Sequence, residues 1–215
     1  MTEHSTVNYP DTGHCELEQL ALEECMKRRR IEPLVSALVM PAARSPFVQQ
    51  LATQGIMVSA GDQPGLKKDM EGRFLASGLK DQIQFLPYTL PALPPPPETG
   101  YDVIFLRRGI CHLPYAEARQ VVRGLLRQLR IGGKLYLSIL GLHSELGEGY
   151  AGAEQPVDQR YAPLAPEVDA IYHIGQPVCL YTERDIFLLL LTAGASVLRT
   201  LTTSYGNVQA VAMRV

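Results

Sequence analysis

The residues best suited to chemistry in this chain fall at the ends of short apolar runs. Asp62 stands in Ala-Gly-Asp-Gln-Pro, directly after the run Ile56-Met57-Val58-Ser59-Ala60. A carboxylate there can accept two O–H hydrogen bonds, and charge-assisted bonds of this kind are stronger than neutral ones. The same residue can equally serve only to stabilise a Gly-Asp-Gln-Pro turn. His112 closes the stretch Arg107-Arg108-Gly109-Ile110-Cys111-His112, which follows a second apolar run, Val103 to Leu106. Its imidazole suits a general base near neutral pH, or else fastens the loop or the start of the helix after it. Arg107 or Arg108 suits an anionic group, because a guanidinium matches a carboxylate in geometry. His143, Tyr150, Tyr161, Tyr172 and His173 are scattered through 141–180 and single out no catalytic residue.

Several chemistries are disfavoured. No Ser-His-Asp arrangement supports a hydrolase, and no GxGxxG follows a strand to support a nicotinamide dehydrogenase. Cys15, Cys25, Cys111 and Cys179 lie far apart without a CxxC pair, so neither a metal site nor a disulfide framework is expected. A net charge of −2 gives no long-range pull towards nucleic acid or an anionic membrane. The one basic cluster, Lys27-Arg28-Arg29-Arg30, reads as a solvated helix end favoured by the helix dipole. The polar N-terminus is not a signal peptide, and the longest apolar run, Ile186 to Leu191, is too short to span a bilayer. No nucleic-acid partner, no membrane and a cytoplasmic location are therefore the expectations.

The elements that must position Asp62 and His112 alternate along the chain. Apolar residues at 46% and charged residues at 20% are ordinary globular composition, and 215 residues bury a large core. A polar arm (1–13) and a helix from His14 to Arg30 form an N-terminal unit over 1–30. From 31 to 215 the pattern predicts one α/β domain. Strands are expected over Leu34–Met40, Ile56–Ala60, Ile83–Leu86, Val103–Leu106, Lys134–Leu140, Ser196–Thr203 and Val208–Val215. Helices are expected over Phe47–Gln54, Leu66–Ala76 and Ala116–Arg130, the last with Val121, Val122, Leu125, Leu126 and Leu129 on one face and Gly132-Gly133 as its stop. A further helix is capped by Thr182 with Asp185 in capping-box position and closed by Gly194. Pro87 to Gly100 holds six prolines and reads as a stiff surface connection. Such alternation specifies a mostly parallel sheet of seven strands with helices on both faces and a closing antiparallel hairpin. Ligands then bind beyond the carboxyl ends of the strands, at the loops after Met40, Ala60, Leu86, Leu106 and Leu140.

The stretch Tyr101 to Leu140, with its Tyr-Asp-Val-Ile strand, His-Leu-Pro loop, helix and Gly-Gly turn, resembles the centre of class I S-adenosylmethionine-dependent methyltransferases. The tail from Tyr181 to Val215 is similar to the same family in its Tyr-Thr-Glu helix start and terminal hairpin. The resemblance implies a Rossmann-like fold, S-adenosylmethionine as cofactor, a small-molecule acceptor and a lid or insertion over 141–180 that is also compatible with a homodimer contact. It puts Asp62 at the position that holds the cofactor ribose, Tyr88 and Thr89 near the adenine, and Arg107 near the cofactor carboxylate, with His112 as a base for the acceptor. The family's glycine-rich first loop would run through Met40, Pro41 and Ala43. This chain departs from the pattern there, with Val39 for the usual acid and Pro41, Ala43 and Ser45 for the glycines. Proline removes an N–H, and alanine or serine resists positive φ. A degenerate cofactor site implies an alternative, a catalytically inactive binding or interaction protein on the same fold.

Overall fold

A computed structural model describes residues 16–43 and 46–215. The expected arm over 1–13, Cys15, and the loop residues Arg44 and Ser45 lie outside the described residues. Element order is α1 (Glu16–Arg29), β1 (Ser36–Met40), α2 (Pro46–Thr53), β2 (Met57–Asp62), α3 (Lys67–Ala76), β3 (Ile83–Pro87), β4 (Tyr101–Arg107), α4 (Tyr115–Gln128), β5 (Leu129–Ile139), α5 (Pro166–Tyr172), α6 (Glu183–Ala193), β6 (Ala195–Thr202) and β7 (Val208–Arg214). One seven-stranded sheet runs β3-β2-β1-β4-β5-β7-β6. The first five strands are parallel, and β7 pairs antiparallel with both β5 and β6. The strand order reverses between β1 and β4, which makes their carboxyl ends the switch point.

Both faces of the sheet are covered, so its central strands are continuous apolar runs. Along β1, Leu38 and Met40 join one core and Ala37 and Val39 the other. The first core receives Val121, Val122 and Leu125 of α4 and Ile186, Leu189 and Leu190 of α6. The second receives Leu17, Ala21 and Cys25 of α1, Phe47 and Leu51 of α2, and Met70 and Phe74 of α3. Each fully buried side chain of this kind contributes about 1.5–3 kcal/mol. The capping box at α6 is formed as expected, with Thr182 Oγ1 accepting from Asp185 N and Asp185 Oδ2 accepting from Thr182 N at 2.8 Å. Gly194 ends that helix at φ +96.

Three sequence readings are corrected. Gly132-Gly133 does not stop α4, which ends at Gln128 and passes directly into β5. The two glycines instead lie in an irregularity of β5 between its pairings Tyr101↔Leu129 and Val103↔Lys134, with Gly132 at φ +76. The Pro87–Gly100 connection is not merely a surface strand-to-strand link. It stands where an α/β crossover usually carries a helix, and Leu86, Tyr88, Leu90 and Leu93 pack against the first core. Gly124 of α4 leaves room for Leu93, and Gln128 Nε2 donates to the Pro94 carbonyl at 2.7 Å. Finally, within the basic cluster Lys27, Arg29 and Arg30 are exposed at the helix end as expected, but Arg28 is half-buried and paired.

Arg28 belongs to an ionic network at the amino ends of the strands. Its Nη1 lies 3.3 Å from Asp102 Oδ1, its Nε 2.8 Å from Glu24, and its Nη2 donates to the Gly132 carbonyl. Asp102 is 1% exposed and also accepts from Arg130 Nη1 at 2.7 Å and from the Ser36 backbone N–H at 2.9 Å. Arg130 reaches Glu32, and Lys134 reaches Glu24. Burial pushes the Glu24 carboxyl up, but Lys134 and Arg28 outweigh it and hold the group below its ordinary range. Removing one member of such a set leaves the other charges buried and unpaired. Asp102→Ala is therefore expected to lower unfolding stability by about 3–5 kcal/mol in a urea titration. A loss below about 1 kcal/mol, the range of an exposed pair, would contradict this account.

Burial also pushes the thiols of Cys25 and Cys111 up to about 12 and that of Cys179 to about 11. Above pH 9 the unfolded chain releases these protons while the folded one retains them, so stability complete below pH 9 is lost as pH rises towards 12. Buried Tyr136 and Tyr181, also raised by desolvation, act in the same direction. The urea midpoint is expected to fall between about pH 8 and pH 10.5. In a Cys15→Ser chain, the native protein should not react with a disulfide reagent at pH 8. A midpoint that does not fall, or rapid labelling of the native chain, would refute the buried-thiol assignment.

Candidate functional site

The switch point brings together β1, β2, the start of the Pro87–Gly100 strap and the loop after β4. Asp62, the last residue of β2, is 5% exposed. Its Oδ2 accepts from the backbone N–H groups of Ala42 (2.9 Å) and Ala43 (2.7 Å), and its Oδ1 from Gln63 N (2.8 Å). The side chain thus holds the first loop from below and its own turn from the side. Arg73 of α3 fixes the same loop by donating from Nη2 to the Ala43 carbonyl at 2.6 Å. Pro41 is exposed and Ala43 half-buried.

Apolar groups lie beside this carboxylate. The Met40 side chain is fully buried and sits over Gly61, so close that a Cβ added there would meet Met40 Cγ at 2.6 Å and Tyr88 Cδ1 at 3.3 Å. Tyr88 is tied to β2 through its backbone N–H, which donates to the Asp62 carbonyl at 3.0 Å. Burial, and then the Asp62 charge, push its phenol well above the ordinary tyrosine range. On the other side of the switch point, Leu90 from the strap and Leu106 from β4 both close on Gly109. Thr89 is exposed, and its carbonyl accepts from Ala92 N at 3.0 Å.

The remaining candidates are held by other elements. Arg107, at the end of β4, forms an ion pair with Glu18 of α1 and lies over the Phe105 ring. Arg108 takes φ +56 and donates its backbone N–H to the Ser138 carbonyl at 2.6 Å. His112 lies in a short 3-10 turn, Gly109–His112, with the Gln176 amide nitrogen 2.9 Å from its Nδ1 and the Tyr161 hydroxyl donating to its carbonyl. The structure therefore brings Asp62, Met40, Pro41, Ala43 and Tyr88 into one cluster. Arg107 is paired with α1 and His112 with segment 141–180.

That segment is anchored at both ends. Arg160, 7% exposed, donates from Nη1 to Asp185 at 2.7 Å and to the Leu180 carbonyl at 3.0 Å. Among the described residues there is no group of His, Cys, Asp and Glu able to hold a metal ion, and no helix long and apolar enough to cross a membrane. Sequence reasoning missed Leu90 and Leu93, because prolines mask their three-residue spacing. It also passed over Gly61 and Gly109, whose small size lets Met40, Tyr88 and Leu90 close in.

No protein-family model matches the sequence, and no curated protein matches it either. Solved structures do. An O-methyltransferase family protein from Burkholderia thailandensis superposes with a TM-score of 0.65 at 13% identity, over 93% of this chain and 55% of its own. A SAM-dependent methyltransferase from Methanosarcina mazei gives 0.64 at 17% identity, over 88% of this chain and 97% of its own. A possible exported protein from Bordetella parapertussis gives 0.66 at 17% identity, over 98% and 77%. The fold is that of the class I methyltransferases. The chain spans little more than half the length of several structures it matches, the apo methyltransferase SibL among them.

Within this methyltransferase fold, the Asp62 carboxylate supports the first loop together with the Gly61 carbonyl and Arg73. Asp62→Ala removes the acceptor of three backbone N–H groups, and bonds to a charged acceptor are worth about 1.5–3 kcal/mol each. Amide hydrogen exchange at Ala43 is expected to accelerate by at least about ten-fold, less at Ala42, whose N–H keeps the Gly61 carbonyl at 3.0 Å, with the central strands unchanged. Equal protection in both proteins would show that the loop is held by something else.

Proposed function

We propose that this protein is a binding or interaction protein built on the methyltransferase fold, with the cofactor crevice closed from within. The observation that carries this reading is the state of Asp62. A carboxylate offers roughly four acceptor positions, and three are taken by backbone N–H groups of its own loop and turn. A ribose diol asks for two. Met40 and Tyr88 over Gly61, and Leu90 against Gly109, add apolar side chains beside it. As these residues are arranged, Asp62 lacks the two open acceptor positions that the ribose diol of S-adenosylmethionine needs. In this reading Met40, Pro41, Ala43 and Tyr88 are parts of the closed crevice, and Thr89 is exposed outside it. Arg107 anchors α1, and His112 joins the β4 loop to segment 141–180 as a positioning residue.

A second reading, an active S-adenosylmethionine-dependent methyltransferase acting on a small molecule, is favoured by one observation. Asp62 keeps its place at the carboxyl end of the second strand, and one position on Oδ1 is still available to a ligand hydroxyl. That reading needs the loop from Pro41 onward to swing off the carboxylate. In both readings the partner is a small molecule or a protein, with neither nucleic acid nor membrane required.

Calorimetric titration with S-adenosylmethionine and with its demethylated product separates the two. No saturable heat and no thermal shift are expected up to about 1 mM ligand, where even weak specific binding would register. Micromolar binding that Asp62→Ala abolishes would overturn the proposal in favour of the enzyme.

A further inference from the structure

We propose that a groove at the amino end of the sheet is a binding site for a phosphoryl oxyanion. The groove measures about 220 Å³ and is lined by Arg123, Leu126 and Arg127 of α4, Ala193 and Gly194 at the end of α6, Arg214 at the end of β7 and Val215 after it. Its position follows from Arg214, whose Nη1 donates to the carbonyl of Leu129, the first residue of β5. The crevice beside Asp62 lies at the opposite ends of the strands, so this site stands whichever reading of the crevice is right.

Three arginines line the groove, and no acidic side chain does. Among the described residues, none of the three arginines forms an ion pair. Two of them are oriented by backbone carbonyls. Arg123 Nη2 donates to Thr192 O at 2.9 Å, and Arg214 Nη1 donates to Arg127 O at 2.8 Å. These bonds cap the last turns of α6 and α4, each of which carries about half a negative charge. That capping explains why Arg123 and Arg214 lie here. It leaves Arg127 unexplained, because its side chain makes no hydrogen bond among the described residues. A guanidinium has five N–H donors in a rigid fork, and the capping bonds occupy one nitrogen of each. The others are available to a ligand.

The chemistry fits phosphate better than a single carboxylate. Several forks around one concave space match a tetrahedral group with oxygens in more than one plane. Leu126 and Ala193 give an apolar wall for whatever carries the phosphoryl group. Gly194, at φ +96 with nothing within 4 Å of an added Cβ, keeps the rim open.

The test uses the whole chain with inorganic phosphate and tripolyphosphate as probes, at ionic strength matched with chloride. Binding is read by calorimetry and by the shifts of the Arg Nε–H and Gly194 amide signals. Saturable binding is expected, tighter for tripolyphosphate. Arg127→Gln and the double variant Arg123→Gln/Arg127→Gln should weaken it at least about five-fold and about ten-fold, the size expected for losing charge-assisted bonds. Arg184→Gln, at an exposed arginine near the start of α6, should leave it unchanged. Arg127→Gln breaks no bond that holds the fold, so a loss in that variant reports the ligand. No binding up to about 10 mM, well beyond the range of a specific site, would overturn the proposal. So would binding that the Arg127 variant leaves intact, or that Arg184→Gln weakens equally.

Discussion

The arrangement of the sheet depends on one buried carboxylate, Asp102, and on the charges that keep it paired. It stands at the amino end of β4, where its two oxygens join α1 through Arg28, β5 through Arg130 and β1 through the Ser36 backbone. Burying a lone carboxylate costs several kcal/mol, so the site is tolerable only with all three partners in place. Those partners come from 74, 28 and 66 residues away along the chain. The same contact therefore sets β1 beside β4, which creates the switch point, and lays α1 across the second core. Arg107 at the far end of β4 then meets Glu18 at the start of α1. One ionic contact at the amino end thus fixes which groups face each other at the carboxyl end.

At the carboxyl end, the change we propose is from a ligand-facing acid to a loop-facing one, because Asp62 accepts from three backbone N–H groups of its own loop and turn. Glycines in the first loop would let backbone approach a ligand. Here Pro41 and the two alanines turn their N–H groups, where they have them, back onto Asp62. The strap completes the change. With no helix between β3 and β4, the first core would be exposed beside α4, and Leu90 and Leu93 fill that space instead. Leu90 reaches Gly109 only because glycine stands there, and Met40 reaches Tyr88 only because residue 61 is glycine. Small residues in a methyltransferase fold are commonly read as room for a ligand. In this chain they are room for its own side chains.

The contrast shows where sequence reading succeeds. The strands, α4 and the Thr182–Gly194 helix were legible because their signals are local: runs of buried apolar residues, a single apolar face, a capping pair, a C-terminal glycine. The fold class followed from their order. Arg28, Asp102 and the Gly132-Gly133 irregularity were not legible, since each takes its meaning from a partner far away in sequence. Asp62 lies between. Its place after the second strand could be read from the chain, and so could its two alternative uses. Which groups surround its oxygens depends on how Pro41 to Ala43 fold, and no spacing rule gives that.

Core and site are therefore held by different constraints. The strand order needs only apolar runs, crossovers and the Asp102 network, none of which involves the first loop. That independence lets a chain of 13–17% identity to solved methyltransferases keep their sheet whatever its first loop does. It also means the fold is poor testimony to the reaction. The informative residues are the few whose side chains could have faced a ligand, and here Asp62 bonds to its own loop while Met40 and Tyr88 close on Gly61 and Leu90 closes on Gly109. The three arginines at the amino end are the reverse case. They line an open groove in which no acidic side chain answers their charge.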